Sequence, residues 1–162
     1  MRALLKGWAV AMLVAACVPA PALAQGPAPF RVQVHVGGDP ALRPDAYAAI
    51  VSGLQAARDI TVVDRNAEYI VSVLLVRTAG DSLTASVTAL SVHTPEAIEN
   101  AARQWGVEPI AQQRIVAMFR GTGVLADQRL FSGPALAPLA GDIARAFATD
   151  TLAEPRKLRQ AR

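Results

Sequence analysis

The sequence predicts an α/β domain of the α+β type: a single domain with one mixed sheet of about five strands and three or four helices, placed after a cleaved signal peptide. Three observations predict it. Ala67–Val76 (AEYIVSVLLV) is the longest apolar run outside the first 24 residues. Extended chain would put Tyr69, Val71, Val73 and Leu75 on one side and Ile70, Ser72, Leu74 and Val76 on the other, which reads as a central strand buried on both faces. A second run, Leu83–Val92 (LTASVTALSV), follows after five residues containing Gly80 and Asp81, the pattern of an antiparallel hairpin. Ahead of both, two extended stretches flank a helical one, and strand, helix, strand closes most simply as a right-handed crossover between parallel strands.

The elements follow in order. Residues 1–24 (MRALLKGWAVAMLVAACVPAPALA) have a basic start at Arg2 and Lys6, an apolar centre, two prolines and Ala22-Leu23-Ala24, the layout of a secretory signal cut before Gln25. Val14-Ala15-Ala16-Cys17 also resembles a bacterial lipobox, in which Cys17 is lipidated and Val18–Pro29 becomes a Pro/Ala-rich tether. Either route predicts export, to the periplasm or beyond, or to a lipid anchor in the membrane. Phe30–Val36 alternates strictly, with Phe30, Val32, Val34 and Val36 on one face and Arg31, Gln33 and His35 on the other, so it reads as a half-buried strand nearer the sheet edge. Pro44 opens a helix to Ala57 in which Tyr47, Ile50, Val51 and Leu54 recur at helical spacing. Ile60–Val63 is a short second strand.

After the hairpin, Thr94-Pro95-Glu96 combines a cap, a first-turn proline and an acidic residue, and Gly106 ends that helix. Ile110–Phe119 reads as another helix, with Ala111, Ile115 and Met118 on one stripe, although Ile115–Phe119 also fits a strand. Val124–Phe131 is the fifth strand. Leu136 to about Ala148 is the last helix, with Leu136, Leu139, Ala140, Ile143 and Phe147 on one face. Residues 25–155 thus form the domain, and 156–162 are left as a basic C-terminal tail.

The formal charge of +3 over 162 residues is misleading until the charges are located. Between Gln25 and Pro155, ten Arg face thirteen Asp and Glu, leaving −3, whereas four cations crowd into the last seven residues. An acidic body with few, scattered aromatics offers neither an electrostatic groove nor a stacking platform, so no nucleic-acid partner is expected. The tail reads as a solvated terminus, or as a contact with anionic lipid. Cleavage after Ala24 removes Cys17, the single cysteine, and with it any disulfide or thiol chemistry.

Chemistry-bearing motifs are scarce. Two histidines and no Cys cluster give no metal spacing, and no cofactor is implied. Gly37-Gly38-Asp39 lacks both the third glycine of a dinucleotide loop and the lysine of a phosphate loop, and reads as a turn. His35, beside Arg31 and Gln33 on a polar strand face, is the candidate ligand contact, though an ordinary surface histidine explains it as well. Trp105, Met118 and Phe119 are residue types that enrich interface centres, and Thr94–Thr122, which carries them, is the candidate partner surface; the alternative is that they cover one sheet face as core.

A helix closing with Gly53-Leu54, the strand Ile60-Thr61-Val62-Val63 and the opening Ala67-Glu68-Tyr69-Ile70-Val71 resemble the small α/β domains of bacterial envelope accessory proteins, of which the TolB amino-terminal domain is an example. That resemblance covers about a third of the chain, and Thr94–Thr122 departs from it. It implies a non-catalytic module that binds another envelope protein. A periplasmic small-ligand-binding domain is the alternative, and a hydrolase a more distant one.

Overall fold

The computed structural model describes residues 28–161; the expected signal segment, Cys17 and the expected cleavage point between Ala24 and Gln25 lie outside them. Five strands form one sheet in the order β2-β1-β3-β4-β5. They are β1 (Phe30–Gly38), β2 (Ile60–Val62), β3 (Tyr69–Arg77), β4 (Leu83–Val92) and β5 (Gly123–Gly133). β1 runs parallel to both β2 and β3, whereas β3–β4 and β4–β5 are antiparallel, so the sheet is mixed and β3 is its middle strand. The helices are α1 (Arg43–Gln55), α2 (Pro95–Gln104), α3 (Pro109–Phe119), α4 (Leu136–Ala146) and α5 (Ala153–Gln160).

α1 begins with a proline in its first turn and buries Ala46, Ile50 and Leu54. Tyr47, expected on the same stripe, is 40% exposed. α4 buries Leu139, Ala140, Ile143 and Ala144 and packs against α1. Together they cover one sheet face, where Val32, Val34, Val71, Val73, Leu75, Ala85 and Val87 form the core. Each large side chain in that core contributes about 1.5–3 kcal/mol by leaving water. Between β1 and α1, Gly38 turns the chain at φ +98°, and a Cβ there would lie 1.8 Å from the Leu75 carbonyl oxygen; only glycine fits so close an approach in that conformation.

Two expectations are corrected. β3 is covered on one face only: Ile70 and Ser72 are half-buried, and Leu74 and Val76 are exposed. α1 and α4 share a face, and α2 and α3 make their main contact with each other, so the second face keeps no helical layer. The basic tail is not a free, solvated segment. After a π-type turn at Phe147–Thr151, closed by the Leu152 N–H donating to the Phe147 carbonyl at 3.2 Å, the chain forms α5, a fifth helix where three or four were expected.

α5 is fastened by its cations. Arg156 donates to both oxygens of Asp59, and Arg159 donates to Glu68 at 2.5 Å while its guanidinium lies 3.6 Å over the Phe30 ring. Two of the cations that marked a tail, Arg156 and Arg159, are spent on contacts with the first half of the chain, while Lys157 pairs with Glu154 inside α5.

Candidate interaction surface

Strand alternation and register place the uncovered face residue by residue. Opposed residues in neighbouring strands share a face, so the pairings can be read as rows. One row runs Gln33, Ile70, Leu90, Leu125; the next His35, Ser72, Thr88, Gln128; the next Gly37, Leu74, Ser86, Leu130; the last Val76, Thr84, Ser132. Across these rows there is no charged side chain. Leu74 is 55% and Leu130 74% exposed, and Val76 and Leu125 are exposed with them. Small hydroxyls alternate with apolar groups, which leaves a partly apolar surface four strands wide whose rows carry no formal charge, with Arg31 beyond them at the start of β1.

The predicted polar residues fall on this side, but not as one site. Gln33 Nε2 donates to the Asp64 carbonyl at 2.9 Å and the Arg31 guanidinium to the Arg65 carbonyl at 3.3 Å. Both side chains therefore tie β1 to the loop between β2 and β3. The Arg31 backbone N–H also donates to Glu68 Oε2 at 2.9 Å. His35 is exposed and stands apart, in the row with Ser72, Thr88 and Gln128.

The second uncovered region is the α2–α3 hairpin. Thr94 caps α2 by accepting from the Ala97 N–H at 3.2 Å, and Gly106, at φ +69°, turns the chain toward α3. α2 buries Ala102 and α3 buries nothing. Trp105 at the turn is 81% exposed, and Ile110, Met118 and Phe119 are exposed with it. Trp105 and Phe119 line an apolar groove of about 400 Å³ with Ile98, Ile115 and His93. Met118 is not among its lining residues. Arg31 and Gln33 instead reach a neighbouring polar cleft of about 420 Å³, shared with His93, Glu96 and Arg120.

Sequence reasoning missed Leu74, Val76, Leu125 and Leu130. A signal was present: β4 carries Thr84, Ser86 and Thr88 at alternate positions, as a strand does when one face is left to solvent. Its neighbours in the same rows share that exposure.

One group of ionisable residues is paired where β5 meets the π-type turn. Arg129 donates from Nε to Asp127 at 2.8 Å and from Nη1 to Asp150 at 2.6 Å, and the Thr151 hydroxyl also donates to Asp127 at 2.8 Å. Hydrogen bonds from Thr149 and Arg129 hold the Asp150 carboxyl below its ordinary range. Tyr69 is pushed up by burial, opposed by its hydrogen bond with Ser91. Among the described residues, no group of three or more His, Cys, Asp or Glu is placed to hold a metal ion, and no helix is long and apolar enough to cross a membrane.

No protein-family model matches the chain. No curated protein matches it either. Among solved structures it is similar to the PelC dodecamer from Paraburkholderia phytofirmans, at 16% identity, over 76% of this chain and 89% of that chain, with a TM-score of 0.40.

Proposed function

We propose that this chain is a non-enzymatic protein-interaction domain of a bacterial cell envelope, exported by its leader and carried either free or on a lipid at Cys17. The open sheet face carries the reading. A neutral face with Leu74, Val76, Leu125 and Leu130 exposed resembles an interface centre, where charge is depleted and apolar groups collect. The exposed apolar residues of the α2–α3 hairpin add a second contact region. The row around His35 contains hydroxyl and amide groups but no carboxylate, which favours binding over acid–base chemistry. The resemblance to envelope accessory domains implies the same kind of role.

Photo-crosslinkers placed at Leu74 and at Leu130 in the native cell test it, with Asp142 on the exposed side of α4 as control. The expected result is one envelope protein captured from both sheet positions and not from Asp142. Identical products from all three positions, or none from the sheet, would reject the reading. Intact-mass measurement of native material tests the export route: a mature chain starting at Gln25 is expected, and an acylated species starting at Cys17 would make it a lipoprotein.

A small-ligand binder is the second reading, favoured by the groove under Trp105 and the cleft at Arg31. Trp105 is the single tryptophan after residue 24, so its emission reports occupancy of the groove directly. A ligand at a hundred times its Kd would also add about 2.7 kcal/mol of stability.

A further inference from the structure

We propose that β5 pairs with β5 of a second copy of this chain, antiparallel about a two-fold axis at Gln128. β5 is an edge strand of eleven residues, spanning roughly 37 Å at about 3.4 Å per residue. Natural edges of that length are blunted by Lys, Pro, bulges or inward charges; β5 contains no Lys or Pro, and its charges, Asp127 and Arg129, are of opposite sign. Its one irregularity is the shift opposite Ala89 and Leu90, which leaves Ala126 as the extra residue.

The direction of its free groups follows from the neighbouring ladders. The Val92 N–H donates to Glu68 and the His93 N–H to Thr122, so even-numbered residues of β4 turn their backbone groups toward β3 and odd-numbered ones toward β5. Asp127, Arg129 and Phe131, opposite Ala89, Val87 and Ala85, therefore bond inward. Gln128, Leu130 and Ser132 present N–H and C=O outward, and no described residue forms a backbone bond to those outward groups.

Charge selects the register. An axis at Gln128 sets Asp127 opposite the partner's Arg129 and Arg129 opposite the partner's Asp127, two ion pairs from one short sequence, Asp-Gln-Arg. An axis at Arg129 would oppose two guanidinium groups and one at Asp127 two carboxylates; the outward backbone groups allow either, so like-charge opposition is what disfavours them. An axis at Leu130 forgoes both ion pairs. Asp127 and Arg129 already bond to each other, and to Thr151 and Asp150, within the chain, but at 23% and 37% exposure of their side chains they are only partly covered, so the cross-edge pairs would extend an existing network. Like charges directly opposed are unfavourable in a sheet and opposite charges favourable, which makes the strand complementary to itself. The two open faces would then join as one surface of ten strands. This inference concerns the edge and stands or falls apart from what covers the open face.

The mature chain, measured by sedimentation over a wide range of concentration, is expected to dimerise. Gln128→Pro removes an outward donor without touching the ladder to β4, and should weaken dimerisation by about tenfold or more. Arg129→Asp should weaken it too, and Asp127→Arg combined with Arg129→Asp should restore it. If the proline variant fails to fold, cysteine mapping still decides: Asp127→Cys chains mixed with Arg129→Cys chains should form a disulfide dimer, and neither alone should. A monomer at every concentration would overturn the proposal. So would a dimer indifferent to Gln128→Pro, or one whose cysteine pairs cross-link in another register, as when the open faces rather than the edges associate.

Discussion

Arg156 grips Asp59 with both arms of its fork, Nε to Oδ2 at 2.6 Å and Nη2 to Oδ1 at 2.9 Å, across 97 residues of sequence. The same guanidinium also donates to the Ala148 carbonyl, so one side chain joins α5, the π turn and the approach to β2. The Arg156 hydrogen bond holds the Asp59 carboxyl below its ordinary value, against a smaller opposing effect of burial. A carboxyl depressed in the folded state stabilises it fully above the unfolded pKa, about 4, and loses that contribution as pH falls through the folded value.

The first prediction follows from that sign. Asp59→Asn should lower stability at pH 7 by about 0.5–1 kcal/mol, the range for a partly exposed pair. The gap between variant and wild type should narrow below about pH 4 and vanish once Asp59 is protonated in both states. Thermal melts of the two proteins from pH 7 to pH 3 check it; a gap that persists at the acid end would mean that the carboxylate charge is not what holds α5.

Val73→Asp should unfold the domain, whereas His35→Ala should not. Val73 is 3% exposed in the middle of the central strand, and an unpaired carboxylate there costs several kcal/mol out of a total of roughly 5–15. His35 is exposed on the uncovered side. Circular dichroism of both variants is sufficient, and a folded Val73→Asp protein would contradict the assignment of the covered face.

Close approaches give a graded pair. A Cβ at Gly53 would lie 2.7 Å from the Ala144 Cβ, where α1 meets α4, and neither atom is the end of a flexible chain. Gly53→Ala should cost about 1–3 kcal/mol as the helices move apart. Gly38→Ala should cost more, because its Cβ would strike the Leu75 backbone and its φ of +98° is foreign to alanine. Denaturant midpoints rank the two, and the reverse order would count against the turn geometry at Gly38.

Removal of the helical hairpin should leave the sheet standing. Val92 and Gly123 are opposed at the end of the β4–β5 ladder, so residues 93–122 leave and return at adjacent points, and a short Gly/Ser linker makes an ordinary β-hairpin of what remains. The shortened protein should keep its strand signal and melt only a few degrees lower, since among α2 and α3 only Ala102 is buried. If it precipitates, the hairpin's apolar residues serve the core after all.

Most of the fold was legible because it is local. The alternation of Phe30–Val36, the helical spacing of Ile50 and Leu54 and the paired runs around Gly80 each declare an element within ten or so residues. What was not legible depends on distance. β3 is equally apolar on both sides, and nothing in its own residues says that α1 and α4 will choose the same one. α5 has no apolar stripe to announce it; its partners Asp59 and Glu68 lie 97 and 91 residues away. Arg31 and Gln33 were placed on the correct face, yet their role in tying β1 to the following loop required knowing where residues 64 and 65 return.

The contacts of Arg159 with Ala28, Glu68 and Phe30 also set an order in time. A chain made from its amino end has β1 flanked by β2 and β3 after about half its length, but the ring of Phe30 waits for a guanidinium 129 positions later. Closing so long a loop comes late in folding, because its entropy must be spent before the contact returns anything. The first strand of this protein is therefore finished by residues made more than a hundred positions later, and a chain halted before α5 would hold a paired sheet with its opening strand still uncapped.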